Sequence, residues 1–152
     1  MVSALHERRA IDMTRMTRRT VLAAAAMIPT AALAQSTAPI DALLYIIWPN
    51  DGQRIKGAFW CRFGLRNMGI ARAGDKTPNS GHHHLFVDLN EEIKAGDVIP
   101  SDKNHIHFGA GQSEARVDLP PGRHTLQLVL GDAEHKIFSP PLVSRKITVT
   151  VY

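Results

Sequence analysis

Residues 82–89 read His82-His83-His84-Leu85-Phe86-Val87-Asp88-Leu89. On an extended strand successive side chains point to opposite faces, so His83, Leu85, Val87 and Leu89 share one side and His82, His84, Phe86 and Asp88 the other. The leucine and valine side is the natural core face. It carries His83 inward with it, as a buried, hydrogen-bonded residue.

The same two-residue period recurs on both sides of this stretch. Ala42 to Trp48 is an apolar run closed by the turn signal Pro49-Asn50-Asp51-Gly52, and a strand follows from Ile55 or Gly57 to Arg66. Glu91 to Lys103 is a polar connection that leads into the short segment His105 to Phe108. Ala115, Val117 and Leu119 alternate with Glu114, Arg116 and Asp118, and Pro120-Pro121-Gly122 turns the chain. His124, Leu126, Leu128 and Leu130 alternate with Thr125, Gln127 and Val129, and Val143 to Tyr152 repeats the pattern around Ile147, Val149 and Val151. No convincing helical period occurs after Gln35. About six or seven strands with regularly spaced turns predict an all-β chain, a single antiparallel β-sandwich of immunoglobulin-like architecture.

The N-terminus reads differently. Thr17-Arg18-Arg19-Thr20-Val21-Leu22 is a twin-arginine pattern, the alanine-rich run to Leu33 is too short to span a bilayer, and Ala32-Leu33-Ala34 has the small-x-small form of a cleavage site. Residues 1–34 are therefore expected to be a signal peptide, and residues 35–152 the β-sandwich domain, periplasmic or secreted. Removing residues 1–34 takes away Arg8, Arg9, Arg15, Arg18 and Arg19 against Glu7 and Asp12, so the net charge falls from +4 to +1. The basic balance of the whole chain thus belongs mostly to the leader. Neither nucleic acid nor, after cleavage, a membrane is expected as a partner. Cys61 alternates with Phe59, Phe63 and Leu65 and is expected to be a small buried hydrophobe.

Seven histidines follow residue 34, and five fall into two groups: His82, His83 and His84, then His105 and His107. Histidines at i and i+2 on a strand face one way, about 6.6 to 7 Å apart, a span that two imidazoles can close on one metal ion. The two arms, His82 with His84 and His105 with His107, could converge four nitrogens on Cu(II), Zn(II) or Ni(II). His124 begins a core-facing register and could supply an extra ligand or support one if it met His83, while His135 sits in a polar loop outside the expected site. Met68 is a candidate soft ligand for Cu(I), and Asp88 could orient an imidazole.

Beyond these patterns, the series Trp48-Pro49-Asn50-Asp51-Gly52, Phe63-Gly64-Leu65, Gly81-His82-His83-His84-Leu85, His105-Ile106-His107-Phe108-Gly109-Ala110-Gly111-Gln112-Ser113-Glu114, Pro121-Gly122-Arg123-His124-Thr125-Leu126-Gln127-Leu128 and Gly131-Asp132 resembles an exported bacterial domain of unknown function, DUF4399. The resemblance implies that these histidines belong to the family's motif. It brings no activity with it.

The leading expectation is a periplasmic metal-binding or metal-handling protein with His82, His84, His105 and His107 as ligands and copper ahead of zinc as the ion. An alternative is a non-metal binding or adhesion module, in which the loop 67–81 and Gly109-Ala110-Gly111-Gln112 cradle an anion or sugar. Enzymatic use of a metal-bound water, with Glu114 or Asp88 as base, is a third reading. No nucleophile and base set accompanies it.

Overall fold

The computed structural model describes residues 36–152, so the expected signal peptide, residues 1–34, lies outside the described residues. Nine strands form among the described residues: β1 (Leu43–Trp48), β2 (Gln53–Ile55), β3 (Phe59–Arg66), β4 (Gly69–Ile70), β5 (Ser80–Val87), β6 (His105–His107), β7 (Glu114–Val117), β8 (Gly122–Gly131) and β9 (Ile147–Val151). One sheet has the order β1-β3-β7 and the other β2-β9-β8-β5. The far edge of β5 is shared, with β4 pairing at Ser80 and Gly81 and β6 at His84 to Phe86. In immunoglobulin terms β1, β3 and β7 take the places of strands A, B and E, and β5, β8 and β9 those of C, F and G. The all-β sandwich read from the sequence is the fold observed.

Three departures from that reading have local causes. The run read as one strand from Ile55 or Gly57 divides, because Gly57 takes a φ of +61° between Ile55 at the end of β2 and Phe59 at the start of β3. The chain changes sheets at Pro49 to Gly52, so β2 meets the last strand in parallel, and the short β4 also pairs in parallel with β5. The Asp51 carboxylate fixes that crossing by accepting the Thr148 backbone N–H at 2.8 Å. Finally, β9 begins at Ile147 rather than Val143, because the Ser144 hydroxyl oxygen accepts the Leu128 backbone N–H at 2.8 Å in place of a ladder carbonyl.

The core lies where the alternation puts it. Leu85 and Val87 of β5, Leu126, Leu128 and Leu130 of β8 and Val149 of β9 face Leu44, Phe59, Cys61, Phe63 and Val117 of the other sheet. Full burial of each large aliphatic side chain contributes roughly 1.5–3 kcal/mol. Cys61 is free and enclosed in this core, and burial pushes its thiol up to about 12. His83 sits among these residues as expected, fully buried. Its Nδ1 lies 3.0 Å from the Gln112 carbonyl oxygen, so the N–H is on Nδ1.

The opposite side of β5 is also buried. Residues 96–99 pair with residues 135–137 through Ile99 N–H to His135 O at 2.8 Å and Gly96 N–H to Ile137 O at 2.8 Å. This added ribbon covers the outer face of the larger sheet, and its Ile99 and Ile137 form a second apolar cluster with Phe86 and Val129 of the sheet. The outer histidines of β5 are thereby enclosed: His82 and His84 are both 0 % exposed.

Candidate metal centre

Four imidazoles gather where the covering ribbon meets the sheet, one of them from the ribbon itself. His82 and His84 project from the outer face of β5, and His107 of β6 is the direct cross-strand partner of His84. His135 comes from the turn after β8. Ring centroids are 4.8 Å apart for His82 and His84, 5.0 Å for His82 and His107, 5.0 Å for His82 and His135, 5.0 Å for His84 and His107, and 4.8 Å for His107 and His135. One ring nitrogen from each of His82, His107 and His135 lies within 4.8 Å of the other two, close enough for all three to hold one ion. His84 stands against this triad with its centroid 5.9 Å from that of His135.

Two glycines make room for these rings. Gly131 pairs with His82 across the ladder, and a Cβ there would stand 2.8 Å from His84 Nε2. A Cβ on Gly109 would overlap the His107 ring. Gly131→Ala is therefore expected to destabilise the metal-free protein by about 1–3 kcal/mol in chemical denaturation, since the enclosed His84 ring has nowhere to go. Gly109→Ala is expected to cost less stability, because the half-buried His107 can swing outward.

Five nitrogens on three of these rings lack partners. His82 Nδ1 and Nε2, His84 Nδ1 and Nε2, and His107 Nε2 are all buried without a hydrogen bond among the described residues. A buried polar atom left unpaired costs about 1–3 kcal/mol. Burial foremost, then the neighbouring imidazoles, holds His82 down to about 4 and His84 to about 2. Burial and His135 also lower His107. At neutral pH these three rings are uncharged, with lone pairs available, which is the form a metal requires.

The other three histidines of the domain are engaged elsewhere. His105 follows the expected alternation and lies against Phe86, with ring centroids 4.7 Å apart, but it does not join the cluster. Its Nε2 is 2.8 Å from Glu91 Oε1, and its Nδ1 is 3.0 Å from both Asp102 carboxylate oxygens. Carboxylates only accept, so both nitrogens donate and the ring is an imidazolium. Burial opposes that charge, and the hydrogen bonds to Glu91 and Asp102 outweigh it and raise the pKa. A doubly protonated ring has no lone pair for a metal. His105 thus stands outside the ring cluster on geometric and protonation grounds, and His135, expected to lie outside the site, joins the cluster instead.

His124 repeats the logic. Its Nδ1 is 2.7 Å from Asp88 Oδ2 and its Nε2 is 2.9 Å from the Pro120 carbonyl oxygen, so it too is charged and structural. Asp88 orients this ring rather than His82 or His84. Met68 packs against the main core, and Glu114 pairs with Arg62 on the other sheet at 3.5 Å, so neither joins the four rings.

Fold and site together define an immunoglobulin-like β-sandwich with an imidazole cluster enclosed on the outer face of its larger sheet. The chain belongs to DUF4399, a domain of unknown function whose family model matches residues 61–152. That match takes in β3 from Cys61 onward and all seven of the histidines described above. No curated protein matches this chain. Among solved structures, the X-ray structure of the endo-beta-1,4-mannanase from Thermotoga petrophila is similar at 21 % identity, covering 74 % of this chain and 20 % of that one, with a TM-score of 0.41. The chain spans about a fifth of that enzyme's length.

Proposed function

We propose that this domain binds a transition-metal ion through His82, His107 and His135, with His84 as a fourth imidazole, and that it handles copper ahead of zinc in the periplasm. The observation that carries this reading is the set of buried, unpartnered nitrogens on His82, His84 and His107, at the point where these rings converge with His135. An ion would satisfy one nitrogen of each ring it binds and offset that part of the cost of leaving them unpaired. The donor set is all nitrogen. Met68 and Cys61 are held in the main core, so no soft sulfur ligand favours Cu(I). Imidazole sites bind Cu(II) above Zn(II) in the divalent series, which ranks copper first.

The non-metal alternative requires histidines that act as hydrogen-bond donors to an anion or sugar, their remaining nitrogens tied to the backbone. The backbone ties here involve His83 and His124, away from the four rings, and so favour the metal. Hydrolysis by a metal-bound water is less well supported, since Asp88 and Glu114 are paired at a distance from the rings. Export remains part of the proposal through the twin-arginine pattern at Arg18 and Arg19.

Elemental analysis tests this function on protein purified from the periplasm without an affinity tag. The expected result is about one copper or zinc per chain, copper predominating. Metal-free protein that also fails to take up Cu(II) or Zn(II) on titration would overturn it.

A further inference from the structure

His135 reaches the cluster from a turn, not from a strand, so something must hold it there. The turn follows β8 directly at Asp132, a carboxylate only 5 % exposed. Its Oδ1 accepts the backbone N–H groups of Glu134 and Lys136, both at 2.9 Å. Its Oδ2 accepts the Ser36 hydroxyl at 2.6 Å. The main chain closes the same turn, with Asp132 N–H to Lys136 O at 2.9 Å and His135 N–H to Asp132 O at 3.0 Å.

This wrapping matters because His135 has a φ of +64°. The left-handed region costs a residue with a side chain roughly 1–2 kcal/mol, so a free turn would relax away from it. Two hydrogen bonds to a buried carboxylate flank His135 on either side in sequence, and the Ile99 N–H bonds to its carbonyl oxygen at 2.8 Å. The hydrogen bonds that bracket His135 act on the turn's backbone, and neither Asp132 oxygen bonds to a ring nitrogen among the described residues.

We infer that Asp132 is a positioning residue for the metal centre: its carboxylate locks the turn 132–136 so that His135 is presented to His82 and His107 before any ion arrives. This rests on the metal reading proposed above, and it assigns the preorganisation of the third ligand to one side chain. Residues that orient metal ligands typically change affinity 10–100-fold when they are lost. Asparagine keeps the Oδ1 acceptor and can still meet Ser36 through its amide, whereas alanine keeps neither.

The test has two readouts on the same variants. In metal-free protein, proton NMR contacts between the His135 ring and the rings of His82 and His107 are expected to vanish in Asp132→Ala and to persist in Asp132→Asn. Titration with Cu(II) alone is expected to show 10–100-fold weaker binding for Asp132→Ala and recovery to within about threefold for Asp132→Asn. In a His135→Ala background, Asp132→Ala should add no further loss. Ring contacts that survive in Asp132→Ala would overturn the inference, as would a full additional loss in the His135→Ala background. Wild-type protein that binds no Cu(II) would sink the metal reading alone, with the ring contacts still deciding the role of Asp132.

Discussion

Replacing His82 and His107 together by alanine is expected to weaken Cu(II) and Zn(II) binding by about 1000-fold, roughly 4 kcal/mol, measured by competition titration. Both rings belong to the triad whose nitrogens lie within 4.8 Å of one another, so the double variant leaves His135 and His84 without a chelating set. The contrast that gives this experiment its force is His105→Gln. His105 stands two residues from His107 on the same strand face, yet its nitrogens are committed to Glu91 and Asp102. Its loss should leave affinity within about threefold. Stability should fall by about 1–3 kcal/mol, because a hydrogen-bonded cation enclosed beside Phe86 is removed and two half-exposed carboxylates are left to water. Equal loss of affinity in both variants would mean that the sorting of the histidines is wrong.

The second large effect is acid sensitivity of the metal-free protein. An unfolded histidine titrates near 6.5, while His82 in the fold does so at about 4. Between those values the unfolded chain takes up a proton that the folded chain refuses, so stability falls as the pH drops from 6.5 towards 4. His82 alone contributes a loss of about 3 kcal/mol across that window. His84, also depressed, extends the loss to lower pH, and His83 and His107 add to it. His105 and His124 have raised values, so their stabilisation is complete below 6.5 and is lost as the pH rises through their folded values. They therefore do not offset the decline. Denaturant titrations at pH 7 and pH 4 should show it, and a bound ion should steepen it, since protons must displace the metal before the rings can charge. A stability profile that stays level from pH 7 to pH 4 would contradict the enclosed, neutral state of these rings.

The sandwich was legible because strand alternation and core burial are one physical pattern. Leu126, Leu128 and Leu130 face inward opposite Leu85 and Val87, as their spacing requires. His83 followed the same rule into the core. The covering ribbon was not legible as such: Glu91 to Lys103 is polar on average, and only Ile93 and Ile99 within it mark a segment that packs on the outer face of β5. Without that layer, the outer histidines of a sandwich strand would be expected to meet solvent.

The site was half legible for a related reason. Periodicity states which face a side chain takes but not what else reaches that face. His82, His84 and His107 were drawn together as the alternation suggested. His105 took the expected face and met Glu91 and Asp102 there, and the one local sign was Asp102 three residues before it, whose Oδ1 also accepts the His105 backbone N–H at 2.9 Å. His135 carries no periodic signal because a turn has none. Its sign was likewise an aspartate three residues upstream, just past the end of β8. The same spacing thus serves one histidine as a countercharge and the other as a turn anchor, a difference set by the ring partners that the fold supplies.

The most direct measurement is a histidine ring nitrogen NMR spectrum of the protein titrated with Zn(II), a diamagnetic probe of the same imidazole set. The ring signals of His82, His107 and His135, with His84 beside them, are expected to shift to an end point at one equivalent, while those of His83, His105 and His124 stay in place. A spectrum in which the four rings do not respond, or in which His105 or His124 responds in their stead, would contradict this metal centre.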